Sequence, residues 1–188
     1  YFAMFNGIKE QQVIVNSNGI VTNVIDMPNG TDKPQTIIDN IPYPLFFMPL
    51  KETYEAPELT MIHEDGTGGL TGDEATSVIL SARKLIGKPY VYGGNYGGLG
   101  DMFGNKADGT DCSGLCQWAY YDSGLMDDVG LSGRWTTYSM IAHGTYISSP
   151  VYAKVGDVVF SAFSSPGVPE HVVLISGING NQLTIIEA

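Results

Sequence analysis

The sequence predicts an α+β fold, and three observations carry that prediction. Apolar residues recur at helical spacing between Thr71 and His143. Strand-like runs follow Pro150, and the last two of them flank the turn-forming residues 177–181, so helices come first and a run of adjacent antiparallel strands comes after. With 188 residues, the chain holds either one sizeable domain with an appendage or two small domains. Hydrophobic residues make up 43% of it, enough for an ordinary core, whereas 15% charged residues, 24 glycines and 11 tyrosines suit a compact, loop-rich domain.

A boundary is expected at about residue 70. Before it, 12–15 and 19–25 read as two strands joined across Asn16, Ser17 and Asn18, a β-hairpin. Pro28, Pro34, Pro42, Pro44, Pro49 and Pro57 then mark an extended arm or linker. Its apolar patch, Leu45 to Met48, is expected to dock on this chain or on a partner. The chain starts at Tyr1 with no signal pattern, which suggests a processed product or a piece of a longer protein.

From residue 71 to 188 the signals define the main domain. Thr71 and Glu74 have capping-box spacing, and Val78, Ile79, Ala82, Leu85 and Ile86 continue a helix that Gly87 is expected to stop. A glycine-rich loop spans 93–109. The second helix is expected from about Cys112 to Gly124, burying Leu115, Cys116, Ala119 and Tyr120. A short third helix runs from about Thr136 to His143, stopped by Gly144. The strand runs are 157–160, 171–175 and 183–186.

Composition also excludes partners. Twenty acidic residues against nine basic ones give a net charge of −11, and no basic cluster offers a face to nucleic acid or to an anionic membrane. No apolar run reaches membrane-span length. Cys112 and Cys116 lie one helical turn apart, about 5–6 Å between Cβ atoms, against roughly 3.8 Å in a disulfide, so both are expected as free thiols. Asp101, Asn105 and Asp108 are oxygen donors, but their order fits no calcium loop; they read as a solvated loop, and no metal or cofactor is expected.

The chemistry concentrates at 109–114. A cysteine at a helix N-terminus faces unpaired N–H groups and the positive end of the helix dipole, which favour thiolate and can hold an oxyanion. Cys112 is therefore either a nucleophile or a small core residue, and Asp111 reads as the helix cap, while Ser113 and Gly114 leave room for a substrate backbone. Cys116, one turn deeper, reads as core. Of the three histidines, His171 opens an apolar strand and is placed to face a cleft; His63 lies in the linker, and His143 meets a helix C-terminus.

The ordered segments 87–94 (GKPYVYGG), 110–115 (TDCSGL), 156–160 (GDVVF), 171–175 (HVVLI) and 186–188 (IEA) together resemble the NlpC-type cell-wall cysteine peptidases across about 71–188. The resemblance implies a papain-like fold, with the nucleophile helix packed on an antiparallel sheet that carries the base. It implies Cys112 as nucleophile and His171 as general base and acid. Tyr90 matches a tyrosine near the oxyanion position, or else anchors the first helix, and Ser113 borders the same position. Glu187 falls where the family orients its histidine, usually with histidine, asparagine or glutamine; a carboxylate can do the same work, or Glu187 is a strand-end charge. Arg134 borders the cleft and meets either a substrate carboxylate or a structural partner.

The function so implied is hydrolysis of peptidoglycan stem peptides, outside the cell or on a virion, with residues 1–70 attaching the domain to neighbouring domains or subunits of a phage tail or secreted assembly. The alternatives are an N-acetylmuramoyl-L-alanine amidase using the same pair, and a non-catalytic wall-binding or structural part.

Overall fold

The computed structural model describes residues 7–15, 21–26, 36–37, 46–48, 70–94, 109–144, 147, 152–165, 168–180 and 182–188. His63, most of the proline-rich stretch and the loop bearing Asp101, Asn105 and Asp108 lie outside the described residues. The strands are β1 (Lys9–Val15), β2 (Val21–Asp26), β3 (Thr36–Ile37), β4 (Phe46–Met48), β5 (Val158–Ser165), β6 (Val168–Asn179) and β7 (Gln182–Glu187). The helices, all between β4 and β5, are α1 (Gly72–Arg83), α2 (Cys112–Asp122), α3 (Met126–Val129) and α4 (Thr137–His143). This is the α+β architecture expected, with the helix that starts at Cys112 packed on an antiparallel sheet.

Helix starts follow the sequence closely because they are set by local side chains. Thr71 closes a capping box with Glu74, and Thr136 closes one with Ser139. Helix ends differ more. The α-helix gives way at Arg83, although Leu85 and Ile86 continue the apolar pattern. Lys84, Leu85 and Ile86 donate to carbonyls three residues back, tightening the chain into a turn that ends at Gly87, φ 87°. The one-turn α3 has no side-chain cap and a weak sequence signal; Gly130 ends it in the left-handed region at φ 72°.

The seven strands make one sheet in the order β3-β2-β1-β7-β6-β5-β4. The expected hairpin forms between β1 and β2, with an irregularity at Ile14 and Val15. Its first strand also pairs with β7, from Lys9 opposite Glu187 to Ile14 opposite Gln182. At the far edge β4, the core of the 45–48 patch, pairs with β5. The sheet therefore runs through the boundary expected at residue 70, with strands from both sides of it. Ile8 adds to the join: its N–H donates to Lys88 O at 2.9 Å, its carbonyl accepts from Gly87 N–H at 2.8 Å, and its side chain is buried in the main core.

Both faces of the central strands are covered. On β6, Val172 and Leu174 join Ile186, Val158 and Phe160 under the helices, where Leu115, Cys116, Ala119 and Tyr120 of α2 are buried together with Val78, Ile79 and Ala82 of α1. The alternate residues Val173 and Ile175 pack with Val13, Val159, Leu183 and Ile185 in a second cluster. Burying each such aliphatic side chain contributes about 1.5–3 kcal/mol. The continuous apolar run of β6 thus reflects two covered faces instead of one.

Asp157, just before β5, is buried and accepts the Lys154 N–H at 2.7 Å. Burial pushes its carboxyl up to about 7 against that hydrogen bond and the charge of Lys154. The folded protein then keeps a proton that the unfolded chain releases above pH 3.8, so wild-type stability falls as pH rises from about 4 to about 7. Asp157→Asn keeps an acceptor for Lys154 and removes this loss. Its stability relative to wild type, measured by urea denaturation across that window, should improve with pH by up to about 4 kcal/mol.

Candidate active site

The start of α2 is built around one carboxylate. Asp111 is the N-cap, and its Oδ1 accepts the Gly114 N–H at 2.7 Å, the Ser113 hydroxyl at 3.0 Å and Arg134 Nη2 at 2.7 Å. Its Oδ2 accepts the Gly93 N–H at 3.1 Å. Asp111 and Arg134 form a mostly buried ion pair. The same guanidinium donates to the carbonyls of Gly94, at 3.0 Å, and Trp135. Arg134 therefore takes the structural partner set that the sequence left open, and ties the Gly94 loop and its own 134–135 segment to the helix start.

Glycine at 114 has a different cause from the one the sequence suggested. A Cβ there would lie 2.2 Å from Thr110 Oγ1 and 2.5 Å from Gly94 O. The neighbouring loop fills the space, so the position is small for packing and not to admit a substrate backbone. That loop is fixed by Asp111 N–H to Gly94 O at 3.2 Å and by the bridge between Tyr90 and Thr110.

Cys112 occupies the first turn of α2 and is 6% exposed; it and Cys116 are both free thiols. Cys116 is fully buried, and burial first of all raises its pKa well above the ordinary value, with the charges of Cys112 and Asp111 adding to the effect. Cys116 is an inert core residue. Tyr90 is partly buried, and its phenol is pushed up to about 12 by burial and then by the charges of Cys112 and Asp111. It stays a neutral hydroxyl donor beside the thiol at any physiological pH.

His171 comes to the same place from β6. Its Nε2 lies 3.2 Å from Glu187 Oε2, and it is hydrogen-bonded to the Cys112 side chain. With Nε2 turned to Glu187, Nδ1 is the nitrogen left for sulfur. The β6–β7 ladder pairs Leu174 with Ile186; one step beyond it Glu187 comes level with Val173, so His171 and Glu187 are diagonal neighbours on one face. Burial alone would strip the imidazolium of its proton. The hydrogen bonds to Cys112 and Glu187, and their negative charges, outweigh burial and raise His171 to about 10. Cys112, His171 and Glu187 thus form one buried, hydrogen-bonded line.

His143 is elsewhere, its Nε2 2.6 Å from the Val129 carbonyl at the end of α4. Among the described residues no group of three or more His, Cys, Asp or Glu side chains is placed to hold a metal. The sequence reading missed Lys9, whose Nζ lies 3.6 Å from Glu187 Oε1. Nothing local marks it, because only the pairing of β1 with β7 brings the two ends of the chain together.

The fold and this site define a class. Residues 87–185 match the NlpC/P60 family, just over half of the chain, and the protein belongs to that family with its papain-like fold. Among curated proteins it is similar to probable endopeptidases of Mycobacterium bovis and Mycobacterium tuberculosis, each 30% identical over 127 residues covering 62% of this chain. The chain spans only 29% of the length of those relatives. No solved structure matches it.

Two substitutions test the helix-start network. Arg134→Ala leaves the Asp111 carboxylate with neutral donors only and should cost about 2–3 kcal/mol in urea denaturation, with Arg134→Lys recovering part of it because the fork is lost. Gly114→Ala, which places Cβ against the Gly94 carbonyl, should destabilise the fold by at least about 1–3 kcal/mol by the same measurement.

Proposed function

We propose that this protein is a thiol endopeptidase that cuts amide bonds in the stem peptides of peptidoglycan. The observation that carries the reading is the placement of His171 between Cys112 and Glu187, all three buried, at a helix N-terminus. Membership of the NlpC/P60 family and likeness to probable endopeptidases support the substrate class.

In the proposed reaction the Cys112 sulfur bonds to the scissile carbonyl carbon, and the carbonyl oxygen takes the negative charge. The Gly114 N–H is committed to Asp111, so the oxyanion falls to the backbone N–H of Cys112 at the head of α2 and to the Tyr90 hydroxyl. As the C–N bond breaks, His171 gives its proton to the leaving amine. Water then attacks the thioester; His171 takes its proton, and the sulfur leaves as thiolate. Glu187 holds the ring in position and stabilises the imidazolium throughout.

The enzyme so described acts on the wall from outside the cell or from a virion. Its charge of −11 suits delivery by neighbouring domains better than direct attraction to wall polyanions.

Purified walls provide the test. Wild-type protein should release stem-peptide fragments identified by mass spectrometry, Cys112→Ala should lose on the order of 10⁴-fold or more in rate, and Cys116→Ala should remain active. Release of whole stems from muramic acid would instead identify an amidase, and activity surviving in Cys112→Ala would overturn the mechanism. The pH dependence follows from His171. Its imidazolium is needed for amine departure, and its pKa is raised from 6.5 to about 10. Activity should therefore persist well above pH 7 and fall only as pH approaches that value. Glu187→Gln should move this alkaline limb downward, because the imidazolium loses its carboxylate.

A further inference from the structure

The Cys112–His171–Glu187 line sets two groups that can be negative against one that can be positive. With thiolate, imidazolium and carboxylate in place it carries a net negative charge, in a site where Cys112, His171 and Glu187 are 6%, 3% and 2% exposed. A buried carboxylate with too little countercharge takes up a proton. A neutral Glu187 would lose its hold on the imidazolium.

The structure supplies a fourth charge from an unexpected element. Lys9, the first residue of β1, stands directly opposite Glu187 in the β1–β7 ladder. Its ammonium lies 3.6 Å from Glu187 Oε1, and its side chain is 17% exposed. Oε1 is buried and accepts no hydrogen bond from any described residue, so the ion pair is what meets that oxygen, while Oε2 faces His171. The result is a line of alternating signs across three strands and a helix: Lys9, Glu187, His171, Cys112.

We propose that Lys9 is a positioning residue of this site: carried in by the N-terminal strand, its ammonium is the countercharge that keeps buried Glu187 ionised and turned to His171. The inference rests on the endopeptidase reading only in calling the site catalytic. The register is held from the other face of β1, where Glu10 is bound by Arg83 of α1 at 2.8 Å and by the Ser176 hydroxyl of β6 at 2.6 Å. A one-residue slip of β1 would turn Lys9 away from Glu187.

Among the described residues, no other group around the pair replaces this charge. From β6 Glu187 meets His171, and from β5 the buried Ser161 hydroxyl stands opposite His171 in register without charge. Behind Cys112 lie Asp111, Tyr90 and Cys116; the cation there, Arg134, is paired with Asp111. Glu10 is on the opposite face of β1 with Arg83. Lys9 is the cation these elements direct at Glu187.

Removing a nearby cation raises the proton affinity of each group it faces. In Lys9→Met, the pH at which the side-chain ¹³C carboxyl resonance of Glu187 moves, assigned by its loss in Glu187→Gln, should lie above that of wild type, because the cation 3.6 Å from Oε1 is gone. The acid limb of kcat/KM on wall peptides should rise with it, and Lys9→Arg should restore both. In a Glu187→Gln background the acid limb should no longer depend on residue 9. A merely structural Lys9 would lower the melting temperature while both titrations stayed put, and that result overturns the inference. Should Lys9→Met fail to fold, Lys9→Gln keeps the polarity without the charge and is read the same way. The carboxyl titration needs no turnover: a shifted resonance in a protein that cuts no wall peptide would retain the charge line and reject the endopeptidase, whereas cutting with an unshifted resonance would do the reverse.

Discussion

One carboxylate sets the geometry on which the site depends. Asp111 is tied at once to the backbone of α2, to the 93–94 loop and to the Arg134 guanidinium. Each link is individually modest, since a cap is worth about 1 kcal/mol. Joined at one charged group, they fix the direction in which α2 begins and therefore where Cys112 points. The tight approach of Gly114 to Thr110 and Gly94 is the steric counterpart of the same constraint. The Cys112 sulfur is thus held by a junction of three segments.

The sheet brings the other half of the site. β6 and β7 are neighbours joined at a turn with Gly180 in the left-handed region, φ 59°. Their register sets His171 diagonal to Glu187. Because Val172 and Leu174 face the helices while Val173 and Ile175 face the second cluster, a slip of one residue would exchange two buried faces. The same packing that stabilises the strand thus fixes the position of His171 in it. Electrostatics completes the arrangement: in a water-poor site, opposite charges must be delivered in sequence, and β1 delivers the last of them.

This gives the N-terminal segment a different standing from that of an attachment arm. β1 extends the sheet next to β7, Ile8 is bonded on both sides to the turn after α1, and β4 covers the opposite edge beyond β5. Strands drawn from the first fifty residues therefore lie on both sides of the β7–β6–β5 group that bears Glu187 and His171. Part of the proposed attachment region is structurally part of the domain it would attach, which ties the register of one to the geometry of the other.

The sequence by itself determined the features whose causes are local. The capping box at Thr71, the cap at Asp111 and apolar patterning placed three helices and the cores of the three C-terminal strands, while a cysteine at a helix start and a histidine heading an apolar run named the two residues that meet in the fold. It left open the partners of Arg134 and of Glu187, and it gave no sign of Lys9. Gly114 shows the same limit, since its smallness has one cause in sequence terms and another in contact with Thr110. Tertiary structure decided these because each depends on a neighbour distant in the chain. Strand register and loop packing choose that neighbour, and neither is written in the residues adjacent to the site.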